Sequence, residues 1–267
     1  MSSEVLLEKR AGIARLTLNR PNVKNALTSS MCADIVAFIS ELRADTSVRV
    51  FVIGGNGADF CAGADLKEMG AALSPSSEQR RKDISQKARD VAWPIFLSGM
   101  HELPMPIVSS VRGHTIGAGT QFVLSSDLAV ASQTTKFLLP QVRLGHNVDH
   151  GESYFLPRKI GLARTMQMIL LGETVNGTDA ERYGLVNWVV PDGELEAKTE
   201  QVVQNIVAGS PVAIREMKSL VRHSQERTIK EQFAAEADSL GTCAATEDFI
   251  EAIKAFAEKR PATFKGR

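Results

Sequence analysis

The chain has 267 residues, 43% of them hydrophobic and 23% charged, enough to bury a sizeable core in one domain with room for a small appended region. Thirty-one basic residues balance thirty-one acidic ones, so no global field directs the chain to nucleic acid or to an anionic membrane, and an anionic ligand has to be met locally. Cys32, Cys61 and Cys243 form no CxxC pair, which argues against a disulfide framework or a zinc site, and no run of about eighteen apolar residues offers a membrane span. A cytoplasmic, non-secreted protein is the expectation, because charges interrupt the apolar N-terminal stretch.

In chain order, Val5–Glu8 and Ile13–Leu18 are short β-type runs joined by a turn-like link and predict a hairpin. From Leu27 to Arg43 the apolar residues Leu27, Met31, Ile35, Phe38, Ile39 and Leu42 follow a helical period, with Thr28 or Ser29 as N-cap. Val48–Ile53 is a continuous apolar run ending in GGNG, the mark of a strand covered on both faces that leads into a loop. A polar interruption at Ser74–Gln79 precedes a strongly charged segment, expected to be a surface helix near a cleft. Pro106–Val111 repeats the buried-strand pattern before RGHTIGAG and a helix over about Gly119–Ser126; Leu128–Ala131 and Asn187–Val190 are further strands. The whole reads as an α/β stack of ββα units without a sequence repeat. From Glu194 onward apolar stripes predict a helical tail, broken at Gly209-Ser210-Pro211 and described as three helices that need a partner surface.

Two loops follow buried strands with small residues at close spacing, Asp59–Asp65 (DFCAGAD) and Arg112–Gly119 (RGHTIGAG). In the second, Gly117 and Gly119 flank Ala118 where a helix begins, so the Ala118 N–H is a first-turn donor without an intrahelical acceptor, backed by the helix dipole. An oxyanion fits there; close strand–helix packing explains either loop alone equally well.

These loops do not stand alone. LNRPNVKNALT (Leu18–Thr28), DFCAGADLKEM (Asp59–Met69), the segment Met105–Ala131, FLLPQVRLG (Phe137–Gly145), LPRKIGLARTMQMILLGE, GLVNWVV and the terminal AIKAFAEKRPATFKGR resemble the enoyl-CoA hydratase/isomerase, or crotonase, family over essentially the whole chain. The resemblance implies a crotonase-like spiral of ββα units over residues 1–200 and a C-terminal helical trimerisation region over 201–267. It further implies a homotrimer or dimer of trimers, a coenzyme A thioester as substrate, and neither a metal nor another cofactor. Carried over by position, the N–H groups of Ala64 and Ala118 form the oxyanion hole. Lys24, Ala26, Ala62, Asp65, Leu66 and Lys67 occupy the nucleotide side, and Phe256 and Lys259 reach a neighbouring subunit's nucleotide. Either lysine can also be read as simply solvated.

One departure decides the expected reaction. Family hydratases use two glutamates where this chain has Gln121 and Gln141, and a carboxamide cannot exchange protons near neutral pH, so those two positions are left as substrate contacts. Eight residues beyond Gln141, Asp149 resembles the acidic residue of dienoyl-CoA isomerases and phenylacetate-pathway ring-epoxide isomerases. One carboxylate suffices for a 1,3-proton shift, and an apolar tunnel is expected to raise its pKa. An Asx-turn at DHG is the plainer account of Asp149. His146, His150, Glu152 and Tyr154 are expected to be structural or exposed, with orienting Asp149 as the other option. Arg112 and His114 either do the same or line the thioester region. Cys61 reads as a small buried residue and Asp127 as a chain anchor. An acyl-CoA isomerase leads; a thioester hydrolase, a specialised hydratase and a catalytically decayed acyl-CoA-binding protein remain as alternatives.

Overall fold

The computed structural model describes residues 4–71 and 73–267; the first three residues of the N-terminal stretch lie outside it. The hairpin forms as expected, β1 (Val5–Arg10) pairing antiparallel with β2 (Ile13–Leu18). The helix α1 (Ser29–Ala44) is capped by the Thr28 side chain, which accepts from the Met31 N–H, and buries Met31, Ile35, Phe38, Ile39 and Leu42. Then come β3 (Val50–Gly55), α2 (Leu66–Ala71) and α3 (Ser77–Ala92), the last capped by Ser76 and followed by a wide helical turn at Trp93–Leu97. Next are β4 (Ile107–Val111), β5 (His114–Ile116), α4 (Ala118–Ser125), β6 (Leu128–Ser132) and β7 (Lys136–Leu138). After them run α5 (Glu152–Ile160), α6 (Leu162–Leu171), β8 (Val175–Asn176), α7 (Gly177–Tyr183) and β9 (Trp188–Val190).

Two sheets organise these strands. Six run in the order β1-β2-β3-β4-β6-β9 and three in the order β5-β7-β8. Successive ββα units send their first strand (β4, β6) to the large sheet and their second (β5, β7) to the small one, so the chain winds between two layers. The short second strands escape the hydropathy pattern because three residues are too few to show a period.

The large sheet is covered on both faces, as the continuous apolar run at Val50–Ile53 requires. Phe51 and Ile53 join the main core with α1, whereas Val50 and Val52 pack with Val108 and Val130 against Leu195, Val202 and Val203 of α8 (Leu195–Val207). Residue 200 therefore lies inside a helix that belongs to the sheet, and the expected division at 200/201 moves to the break near Gly209. The tail beyond it is α9 (Pro211–Arg222), α10 (Ile229–Ala244) and α11 (Glu247–Ala257), so the segment from Glu194 holds four helices, not three. Among the described residues, no helix is long and apolar enough to cross a membrane.

Asp127, just past α4, ties the tail to the core. It accepts from the Ile107 N–H at 2.8 Å and pairs with Lys218 at 2.8 Å and Arg222 at 2.7 Å, both from α9. Arg222 also donates to the carbonyls of His101 and Ser125. The anchoring role expected of Asp127 is the one it has.

Candidate active site

The two loops meet edge to edge. The segment after β3 runs extended between β5 and residues 24–27: Cys61 N–H donates to His114 O and Ile116 N–H returns to Cys61 O, while Ala62 N–H donates to Lys24 O and Leu27 N–H to Gly63 O. These bonds use the amides around Ala64 and leave its own N–H outside the backbone ladder. At the facing end, Gly117 (φ +53°) turns the chain out of β5 so that Ala118 opens α4 with a free first-turn N–H. The loops can close only because Gly119 lacks a side chain: a Cβ there would lie 2.5 Å from Cys61 O. One placed on Gly63 would lie 3.7 Å from the Ala118 nitrogen, which shows how near the two amide-bearing segments come.

Ala64 and Ala118 line a pocket whose apolar wall includes Leu27, Ile84, Val91, Ile95 and Phe96, and Asp149 and His150 line the same pocket. Two amide donors, the Asp149 carboxylate and the His150 imidazole thus share a largely apolar space. Asp65 and Glu68 line it too, but Asp65 is paired with Arg20 at 3.1 Å and Glu68 accepts from Ser29. The surface helix expected near a cleft is α3, which supplies Ile84, Lys87, Ala88 and Val91 to this wall.

Asp149 is not alone. Its Oδ1 lies 3.0 Å from His150 Nδ1, and Glu152 Oε1 is 3.7 Å from the same nitrogen. The ring is not aligned for a hydrogen bond at that nitrogen, so the contacts are ionic. Glu152 is fully buried; it accepts from the His150 N–H at 2.9 Å and from Gln141 Nε2 at 3.4 Å. Phe96 meets the imidazole edge-on at 5.5 Å between ring centres. Burial works against a charge on His150, yet the two carboxylates outweigh it and raise its pKa to about 10. Burial pushes the Asp149 carboxyl up, but His150 and His146 more than offset it and hold the group below its ordinary value. The expected upward shift of Asp149 is thus reversed, because a cation sits beside it.

Asp149, His150 and Glu152 each present one ligand-type atom within 4.8 Å of the others, the geometry of a possible cation site. Within the chain, the three groups pair with one another, the imidazole lying between the two carboxylates.

Other expected site residues fall elsewhere. Gln121 is fully buried and donates to Ser125 Oγ at 2.8 Å, and Gln141 is 4% exposed against Glu152; neither lines the pocket. Lys24, Ala26, Ala62, Leu66 and Lys67 lie outside the pocket lining, although Ala62 and Lys24 are joined through the backbone. Lys24 Nζ is 3.4 Å from the His114 ring. Phe256, 88% exposed, and Lys259 sit at the end of α11 and do not reach the pocket within one chain. Arg112 and His114 do not line the thioester region: His114 is held by Asp59, 2.6 Å from its Nδ1, and Arg112 pairs with Glu196, beside a separate polar cavity. Cys61 is completely buried and its thiol is pushed up to about 12, inert as expected. Tyr154 donates to Glu226 away from the pocket. His150 and Glu152 are the residues that single-position reasoning undervalued; the signal was three titratable groups packed into the four residues DHGE.

Comparison with known proteins agrees with this geometry. The chain is 33% identical over 265 residues to the 2,3-dehydroadipyl-CoA hydratase of Escherichia coli (strain K12), covering 99% of this chain and 100% of that one. It is 31% identical over 264 residues to the trans-2-decenoyl-[acyl-carrier-protein] isomerase of Streptococcus mutans, covering 99% and 98%. Its backbone matches the crystal structure of an enoyl-CoA hydratase from Bacillus anthracis with a TM-score of 0.90 at 27% identity, covering 99% and 100%, which gives the two-layer winding its name, the crotonase fold. The enoyl-CoA hydratase/isomerase family model matches residues 8–267, and the chain belongs to that family.

Proposed function

We propose that this protein is an acyl-CoA isomerase that shifts a double bond, or rearranges an unsaturated acyl group, with Asp149 as its single acid/base. The observation that carries this reading is that Asp149 shares one pocket with the Ala64 and Ala118 amides while Gln121 and Gln141 are amides buried outside it. The thioester oxygen would accept from both N–H groups. Asp149 takes a proton from carbon, the electron pair delocalises onto the oxygen as a dienolate, and the carboxylic acid returns the proton at the other end of the allylic system. Donors aimed at the developing oxyanion lower the barrier by about 3–4 kcal/mol each.

The charge cluster defines the base. Asp149 is ionised throughout the neutral range and always ready to accept, but its low pKa makes it a weak base. More of the driving force then falls on the oxyanion donors, which must acidify the carbon. The buried Glu152 balances the imidazolium, so that His150 holds Asp149 in place without leaving an unpaired cation in an apolar wall. The reading asks for no cofactor beyond the coenzyme A thioester. Lys24, Ala26, Ala62, Asp65, Leu66 and Lys67 are proposed for its nucleotide side, with Phe256 and Lys259 serving a neighbouring subunit. Exposed Ile229, Phe233, Leu240, Ile250, Ile253 and Phe256 support the implied homotrimer or paired trimer.

A second reading, hydration of an enoyl-CoA, is favoured by one observation: Asp149 and His150 place a proton acceptor beside a proton donor, the pair that adding water needs. The relatives carry names of both kinds. A 3-enoyl-CoA and a 2-enoyl-CoA, each incubated in 18O-labelled water, distinguish them. Isomerisation converts the first to the conjugated thioester without label; hydration puts 18O into the product of the second. Free CoA followed with a thiol reagent reports the hydrolase alternative in the same assay, and binding without any of these products would indicate a decayed enzyme.

A further inference from the structure

Met69, Ile84, Ala88 and Asp149 line both the pocket of the oxyanion donors and a second, larger cavity of about 1020 Å³ bounded by α3 and the Leu144–Asn147 loop. Its charged lining is one-sided. Arg80, Arg81 and Arg89 of α3 and His146 of the facing loop contribute to it, and Asp149 is its only carboxylate. Arg80 is engaged, donating to the Ser74 and Pro75 carbonyls. Arg81 and Arg89 have no ion-pair partner among the described residues; of the acids on their helix, Glu78 pairs with Lys82, while Asp83 and Asp90 accept from Gln79 and Gln86.

Positions 81 and 89 are eight residues apart, about 12 Å between their backbones along the helix, a span that two extended arginine side chains can close, with Ile84, Ser85 and Ala88 of the same lining between them. Trp93, 56% exposed, and Leu144, 48% exposed, add apolar surface that a ligand would cover. The positions proposed for the nucleotide, Lys24, Ala26, Ala62, Asp65, Leu66 and Lys67, contribute nothing to this cavity, and on that reading the phosphates of coenzyme A lie elsewhere. On the acyl-CoA reading, what would reach it past Asp149 is the far end of the acyl group.

We infer that the acyl group ends in a carboxylate, received by Arg81 and Arg89 in the cavity beyond Asp149, and that the substrate class is therefore an ω-carboxyacyl thioester. The inference rests on the acyl-CoA reading above and supplies its substrate. A guanidinium fork matches a carboxylate in geometry as well as charge. A methyl-ended chain of the same length would gain only the apolar contacts.

The test is binding, so that it does not depend on which reaction occurs. Dissociation constants are measured by calorimetry for two non-reactive thioether analogues of equal acyl length, one ending in carboxylate and one in methyl, and for free CoA. Wild-type protein is expected to favour the carboxylate analogue by about tenfold, and Arg81→Gln/Arg89→Gln to bring the ratio near one while free CoA binds as before. That pattern supports the inference even if the assays above assign hydration instead of isomerisation. Equal affinities in wild type overturn it. So does a loss in the double variant that is equally large for free CoA, which would assign the arginines to phosphate, and so does failure of both analogues to bind more tightly than CoA.

Discussion

His150 Nδ1 stands 3.0 Å from Asp149 Oδ1, and this contact sets the charge state of both groups in the pocket: the imidazole keeps its proton and the carboxylate gives its proton up. Two pH-dependent properties of the site follow from that pairing.

The first is the pH dependence of catalysis. With Asp149 below its ordinary value of 3.8, kcat/KM should have no acid limb between about pH 5 and 8, the interval in which an ordinary histidine titrates. If neutral His150 were the base, kcat/KM would instead climb with pH toward about 10. A kcat/KM profile across that range separates the two.

The same pairing makes stability depend on pH. His150 has a folded pKa raised from 6.5 to about 10, so its contribution is fully present below 6.5 and is lost as pH rises through 10. Asp149, lowered, contributes above 3.8 and loses its contribution as pH falls through its depressed folded value. The difference in Tm between wild type and His150→Gln should therefore be constant from about pH 4 to 6.5 and shrink toward pH 10. A difference that grows on the alkaline side would contradict the ion pair.

Gly117 tests the oxyanion hole by backbone alone. A Cβ at this position meets nothing closer than Gln141 Nε2 at 3.9 Å, so there is space for alanine, but φ is +53° with ψ −117°, a conformation that L residues avoid. Gly117→Ala should relax by turning the peptide that carries the Ala118 N–H. We expect kcat to fall by roughly 10²–10³, as for loss of one oxyanion donor, with little change in thioester affinity. An unchanged kcat would mean that the Ala118 amide does not serve the reaction.

Asp127 separates structure from chemistry. Asp127→Ala leaves Lys218 and Arg222 without their carboxylate, while Lys159 lies close by with its pKa already lowered to about 8 by burial. Breaking a buried pair in this way costs about 3–5 kcal/mol, to be read from urea unfolding, whereas the Asp149 environment should be untouched. Full stability in this variant would show that α9 docks by its apolar face alone.

The strands of the large sheet, the α1 stripe and the paired glycine loops were legible in the sequence because each is governed by a short local rule: alternation, helical period, or the demand for no Cβ at a close approach. Three-residue strands such as β5 and β7 carry no such pattern and are fixed by pairing with each other. In the site, the loop carrying Ala118 is legible from its glycines and the start of α4, whereas Ala64 and Asp149 are singled out only by the family resemblance. The sign of the Asp149 shift could not be read, because it depends on a side-chain contact with the next residue and on Glu152 folding back beneath it. The hydrogen bonds of Gln121 to Ser125 and of Gln141 to Glu152 are out of the sequence's reach for a related reason: they depend on how the helices pack.

The central claim is that one carboxylate, Asp149, moves the proton. Its most direct test is Asp149→Asn, isosteric and unable to accept a proton, assayed for conversion of a 3-enoyl-CoA to its conjugated isomer in deuterated water. The expected result is a fall in kcat of about 10²–10⁴ with loss of deuterium wash-in at the α- and γ-carbons, while thioester affinity is retained. Isomerisation at the wild-type rate with deuterium still exchanging would contradict the claim.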